Sequence, residues 1–140
     1  MYSSGQGVPQ DYAAAAQWSR KAADQGNAAA QALLGKMYSS GQGVSQDYAK
    51  AVALYRTAAG QGYAPAQNNI GLMYENGQGV PQDYVQAHMW FDLAASRFPA
   101  VDAEDRDKAV KNRDLMAAKM TPEQIAEAQK LAHEWKPSNP

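Results

Sequence analysis

The sequence predicts an all-α protein built as a stack of helix pairs, and three observations predict it. A 36-residue period runs through most of the chain, apolar residues inside each period recur at helical spacing, and glycine, proline or a capping residue stands where each helix must start or stop. The period is set by Met1-Tyr2, Met37-Tyr38 and Met73-Tyr74, each followed by a Gly-Gln-Gly-Val loop. It persists through Asp11-Tyr12, Asp47-Tyr48 and Asp83-Tyr84, through Ala15, Ala51 and Ala87, and through the alanine pairs at 22–23, 58–59 and 94–95.

Each period holds two helices. Helix A carries Ala30, Leu34, Met37 and Tyr38 in one unit and Ala66, Ile70, Met73 and Tyr74 in the next, one apolar stripe at a spacing of four, three and one. Asn27 is placed to cap the first of these, and Pro65 sits in the first turn of the second, where a missing N–H costs nothing. Gly41 and Gly77 stop helix A. Helix B carries Tyr48, Ala51, Tyr55, Ala58 and Ala59, with Asp47 at its positive end and Gly26 or Gly62 beyond its last turn. The alanines let the helices approach closely, and the Tyr and Trp side chains fill the wider gaps; Trp18 and Trp90, with Leu54 at the same register between them, are assigned to packing.

Composition narrows the function classes. With 140 residues, 45% hydrophobic and 19% charged, the chain suits one folded domain rather than a disordered segment. Thirteen basic against fourteen acidic residues leave a net charge of −1, so no global positive field gathers nucleic acid or anionic lipid. Cysteine is absent, which removes disulfides, zinc-thiolate sites and thiol nucleophiles. No apolar run approaches the ~20 residues of a membrane span.

The pattern A-x-x-x-L-G-x-x-Y-x-x-G-x-G-V-x-x-D-Y-x-x-A, then A-A-x-x-G, is carried by Ala30, Leu34, Gly35, Tyr38, Gly41, Gly43, Val44, Asp47, Tyr48, Ala51, Ala58, Ala59 and Gly62. It recurs from Ala66 to Ala95 and resembles the Sel1-like repeat family, a longer-looped relative of the tetratricopeptide repeat. The resemblance covers about residues 1–98. It implies a right-handed α-solenoid that scaffolds protein–protein contacts, often in bacterial export, envelope or signalling settings, and it leaves the compartment open between periplasmic, secreted and cytoplasmic. It also implies that helix A lines the concave face. The outward positions there are Ala32, Lys36, Ser39 and Ser40, then Asn68, Asn69, Leu72, Glu75 and Asn76, and these form the expected partner groove. Asn68 and Asn69 are poor helix formers in mid-helix, where Ala32 and Leu33 stand one unit earlier.

Two ends depart from the pattern. Met1-Tyr2 belongs to the end of a helix A, so the first unit, 1–36, is expected to lack most of that helix, followed by units 37–72 and 73–98. Such an opening reads as truncated and leaves the unpartnered helix B at 10–25 exposing part of the face with Tyr12, Ala15 and Trp18, a face on which the chain is able to dimerise. Residues 99–140 hold seven of the basic and eight of the acidic residues and are expected to cap the array. One capping helix runs from Asp102 to about Lys119, with Ala109, Val110, Arg113, Met116, Ala117 and Met120 on one side. A second starts at Thr121-Pro122-Glu123-Gln124, turns Ile125, Ala128, Leu131, Ala132 and Trp135 inward, and stops at Pro137.

Chemistry finds little foothold. His88 and His133 have no second ligand at a metal spacing, and Asp102, Glu104, Asp105 and Asp107 lack the glycine and distal glutamate of a calcium loop, so no metal and no cofactor are expected. The Gly-x-Gly pairs follow helices rather than strands and read as turns. Some Sel1-like proteins have carried a β-lactamase label, yet no serine here has a lysine three residues on, and no G-x-S-x-G elbow exists. Three functions are therefore ranked: a scaffold for an unidentified protein or peptide, a self-associating solenoid, and a hydrolase of that labelled type.

Overall fold

The computed structural model describes residues 8–138, with the backbone alone for residues 8–11. The expected end of a helix A at Met1-Tyr2 lies outside the described residues. Seven α-helices follow one another: α1 (Val8–Asp24), α2 (Ala28–Ser40), α3 (Tyr48–Gly60), α4 (Ala64–Asn76), α5 (Tyr84–Arg97), α6 (Ala103–Ala117) and α7 (Pro122–Glu134), with a short 3₁₀ turn at Ala100–Asp102. No strand occurs among the described residues. In the repeat, α1, α3 and α5 are B helices and α2 and α4 are A helices. Each helix packs on the next from α1 to α6, and α7 folds back onto α5.

The helix ends are set by the residues the period supplies. Asn27 Oδ1 accepts from the Ala30 N–H at 2.9 Å, and Asp47 and Asp83 accept from the Lys50 and Gln86 N–H groups, each at 3.1 Å. Between A and B helices the seven-residue loops are braced twice. The Gln46 and Gln82 amides donate to the Ser39 and Glu75 carbonyls at 2.9 Å, and the Asp47 and Asp83 N–H groups donate to the Tyr38 and Tyr74 carbonyls.

Packing distance is controlled by glycine at two places. A Cβ on Gly71 would stand 2.6 Å from Phe91 Cε1, so α4 and α5 meet where a side chain has been removed; Gly35 and Tyr55 repeat the contact between α2 and α3. Gly79 lies in the loop after α4 with φ +74, and a Cβ there would stand 2.6 Å from the Tyr48 carbonyl oxygen, so the loop of one unit rests on the first turn of the preceding B helix. Around these contacts Ala51, Ala58, Ala59, Ala66 and Ile70 are fully buried.

Successive units are also tied by polar pairs. The Tyr38 hydroxyl accepts from Arg20 at 2.7 Å and the Tyr74 hydroxyl from Arg56 at 2.8 Å, the same pair one period apart. The third position of that series, residue 92, is an aspartate, and it accepts from Arg113 of α6 at 3.0 Å. The cap thus reverses the polarity of the junction. Ala109 and Met116 of α6 are fully buried, and Asn112 reaches Asn68 at 3.3 Å. In α7, Thr121 and Gln124 close the expected capping box at 3.1 and 2.9 Å, Ala128 is fully buried, and Leu131, Ala132 and Trp135 pack against the main core.

Three local expectations are corrected. Trp18 is 68% exposed rather than packed. Leu54 at the same register shares a shallow pocket with Arg20 and Asp24 of α1, and Trp90 meets Trp135; no described helix lies before α1 to supply that contact. Tyr12 and Ala15 are half-buried against the core, so Trp18 alone of the three stands out from the surface. Ala32 is buried rather than outward. Asp102 belongs to the 3₁₀ turn, and its side chain makes no cap hydrogen bond.

His88 is buried in α5, where the two earlier units have Ala16 and Val52, and its Nδ1 has no partner. Burial lowers its pKa first; Asp92 and Asp114 work against that shift, and Arg113 adds to it.

Two predictions follow from these contacts. Gly77→Ala carries only the cost of its left-handed φ of +65, ~1–2 kcal/mol, whereas Gly79→Ala adds a clash with backbone; urea unfolding should rank Gly79→Ala clearly lower. For His88, the unfolded chain protonates first as pH falls through ~6.5, so the folded state loses stability from there downward. His88→Val, copying Val52, should flatten the fall in urea midpoint between about pH 7.5 and 5.5; parallel slopes for the two proteins would refute the assignment.

Candidate functional site

On the side of the molecule formed by the A helices, one pocket of about 310 Å³ opens between α2, the start and middle of α3, and α4. Ser39 reaches it from the last turn of α2, Asn69, Leu72 and Asn76 from α4, and Gln78 from the loop beyond. Its floor is Tyr55 and Met73, both buried, and Tyr48 forms a wall.

The geometry follows from the repeat. Asn69, Leu72 and Asn76 are spaced three and four apart, so they share one face of α4, beside the stripe that buries Ile70 and Met73. Gly35 lets the Tyr55 ring lie against α2, with 3.0 Å between the ring and the place of a Cβ. Burial pushes the Tyr55 hydroxyl above the usual phenol range, and the neighbouring Ser39 hydroxyl opposes that shift. The Tyr48 hydroxyl accepts from Gln46 at 3.3 Å and lies 3.5 Å from the Gln78 amide nitrogen. No side chain lining the pocket carries a formal charge. What it offers is amides and hydroxyls above a floor of aromatic and thioether surface, which suits hydrogen bonding to an uncharged polar chain.

The expected groove residues divide. Ser39, Asn69, Leu72 and Asn76 come together in this pocket; Lys36, Ser40, Asn68 and Glu75 do not line it. Asn68 is turned to Asn112 of the cap. Ser40 donates its hydroxyl to the Lys36 carbonyl of its own helix at 2.9 Å, as Ser39 also does. Lys36 and Glu75 contribute carbonyl acceptors to the local bracing, Lys36 for the two serines and Glu75 for Gln82.

Tyr48, Tyr55 and Gln78 are pocket residues that sequence reasoning assigned to core or loop. A signal was present for Tyr55: its register is held by Ser19 and Phe91 in the other units, so an aromatic ring with a hydroxyl is peculiar to this unit.

Elsewhere, His133 is exposed and lines a separate pocket of about 250 Å³ between α5 and α7 with Asp92 and Ser96. Among the described residues no group of three or more His, Asp or Glu is placed to hold a metal ion, and no helix is long and apolar enough to cross a membrane.

Comparison with known proteins agrees with this architecture. The Sel1 repeat model matches residues 1–27, 28–63 and 64–97. No curated protein matches. Among solved structures, the chain is similar to c5321, a protective antigen present in uropathogenic Escherichia coli strains displaying an SLR fold, with 37% identity and a TM-score of 0.79 over 86% of this chain and 24% of that one. It is also similar to a Sel1 repeat protein from Oxalobacter formigenes, with 48% identity and a TM-score of 0.58 over 59% of this chain and 63% of that one. The chain therefore spans about a quarter of the first protein's length and under two thirds of the second's. With three repeat matches across a stack of helix pairs, the chain is an α-solenoid that belongs to the Sel1 repeat family, whose members generally serve as protein-interaction scaffolds.

Proposed function

We propose that this chain is a scaffold module that binds an extended, largely uncharged peptide segment of a protein partner across its helix-A face, in the pocket between α2, α3 and α4. One observation carries the reading: Ser39, Asn69, Leu72 and Asn76, drawn from variable positions of two A helices, line a single pocket with the Tyr48 and Tyr55 rings. Amides spaced along a helix suit the repeating N–H and C=O groups of a peptide, and Leu72 with the Tyr55–Met73 floor suits one apolar side chain. The face is short, two A helices and the cap, so a dissociation constant on the order of micromolar is expected. Recognition through shape and amides also agrees with six basic and six acidic residues over 1–98, too balanced for steering by charge.

The probe is a peptide selected from a displayed random library against the full chain. Its affinity for Asn69→Ala/Leu72→Glu should fall at least about tenfold, with helicity by circular dichroism unchanged. Peptides that bind the variant as well as the original would move the site off this face.

Self-association is a second reading with one observation behind it, the exposed Trp18 on α1. Light scattering over rising concentration should then show a dimer that Trp18→Ser abolishes; a monomer throughout refutes it.

A further inference from the structure

After α7 the chain leaves the helix at Trp135, with φ −69 and ψ 141, and residues 135–138 run across the ends of the B helices. The Trp135 ring meets Trp90 edge-on, with centroids 6.2 Å apart and planes at 73°. The Arg97 guanidinium lies 5.5 Å from the centre of the same ring and donates its Nε–H to the Gly62 carbonyl at 2.8 Å. Three residues on, the Ser138 N–H donates to the Gly60 carbonyl at 2.6 Å. An aromatic anchor, a cation over it and a backbone-to-backbone hydrogen bond are what a groove supplies to an extended peptide.

The repeat places an equivalent stretch next to the first, with Leu54 where the seat has Trp90 and Gln61 where it has Arg97. One period before Gly60, Gly62 and Arg97 stand Asp24, Gly26 and Gln61. Those three line an open cavity of about 410 Å³ that Ser138 also lines, together with Gln31 and Arg56. The occupied stretch and the open cavity are therefore neighbours along the turns that close the B helices, with the cavity near the C-terminal end of α3, whereas the helix-A pocket takes in Tyr48 from the first turn of that helix.

We infer that Trp90, Arg97 and the turn at Gly60–Gly62 form a binding seat for an extended, tryptophan-anchored peptide segment, and that residues 135–138 occupy it as the chain's own displaceable ligand. Tethering through α7 gives the internal segment an effective concentration on the order of millimolar, so a segment of the same chemistry enters only at such concentrations or when the anchor is lost. This inference is independent of the helix-A pocket, and neither stands or falls with the other.

Amide exchange of the full-length chain tests it. The Ser138 N–H should be protected in the original chain and should exchange at least about tenfold faster in Trp135→Ala, while amides within α2–α5 keep their protection. The synthetic peptide HEWKPSNP, residues 133–140, should then shift the Gly60–Gly62 signals of Trp135→Ala, and its Trp→Ala counterpart should not. Arg97→Gln, which installs the residue of the preceding register at an exposed position, should loosen Ser138 in the same direction and serves if Trp135→Ala fails to fold. An unprotected Ser138 in the original chain, protection that survives Trp135→Ala and Arg97→Gln, or a peptide without effect would each overturn the inference. Loss of protection throughout α5 in Arg97→Gln would show a core element rather than a ligand, and a dimer that keeps Ser138 protected would assign the segment to a second copy; both also overturn it.

Discussion

The ring of Phe91 lies where a side chain at position 71 would have to be, and the ring of Tyr55 stands in the same relation to position 35. Because the aromatic ring fills the space left by the glycine, the A and B helices of a unit meet at one separation, and the alanines at 51, 58, 59 and 66 can be buried without voids. The same economy of space joins one unit to the next, through Gly79 against the Tyr48 carbonyl. Everything above this level depends on it. The depth of the helix-A pocket is the depth at which Tyr55 lies against α2, and the side chains on its rim are those that the close helix contact leaves outside.

Polar contacts add definition to that frame. The Arg20–Tyr38 and Arg56–Tyr74 pairs are partly exposed, and each contributes on the order of 1 kcal/mol. Their value lies in repetition, since each links a B helix to the A helix of the following unit at one fixed angle. Buried glutamines do similar service: Gln31 and Gln67 donate to the Ala23 and Ala59 carbonyls near the ends of the B helices, as second donors beside the Gly26 and Gly62 N–H groups. The scaffold reading rests on this regularity, because a rigid repeated frame allows rim residues to vary without disturbing the core.

The fold was legible because the constraints that build it are local and periodic. Glycine at 41 and 77, Asp47 and Asp83, Asn27 and the capping box at 121–124 each act within a few residues of themselves, and each does in the structure what its position implies. The site was half legible. Asn69, Leu72 and Asn76 follow from helical spacing on one helix, but Tyr48, Tyr55 and Gln78 enter the pocket through the crossing of separate elements, which a single-helix pattern does not encode. Asn68 shows the converse: its residue type marks an unusual position, yet the partner that explains it, Asn112, lies 44 residues away on the cap. Trp18 repeats Trp90 in register and differs in surroundings, because the partner of Trp90 is Trp135, just beyond α7, and no described residue supplies its counterpart to Trp18.

Repeated units raise a problem of address: α5 and α3 hold equivalent places in the repeat, and a terminal helix able to dock on one could dock on the other, one period out of place. The aspartate at 92 resolves it. At that position α3 and α1 carry Arg56 and Arg20, so α6 seated on either would bring the Arg113 guanidinium against another guanidinium instead of a carboxylate. The Asp92–Arg113 pair, half in solvent and worth little as a bond, thereby acts as the label that tells the folding chain which of its look-alike helices is the last.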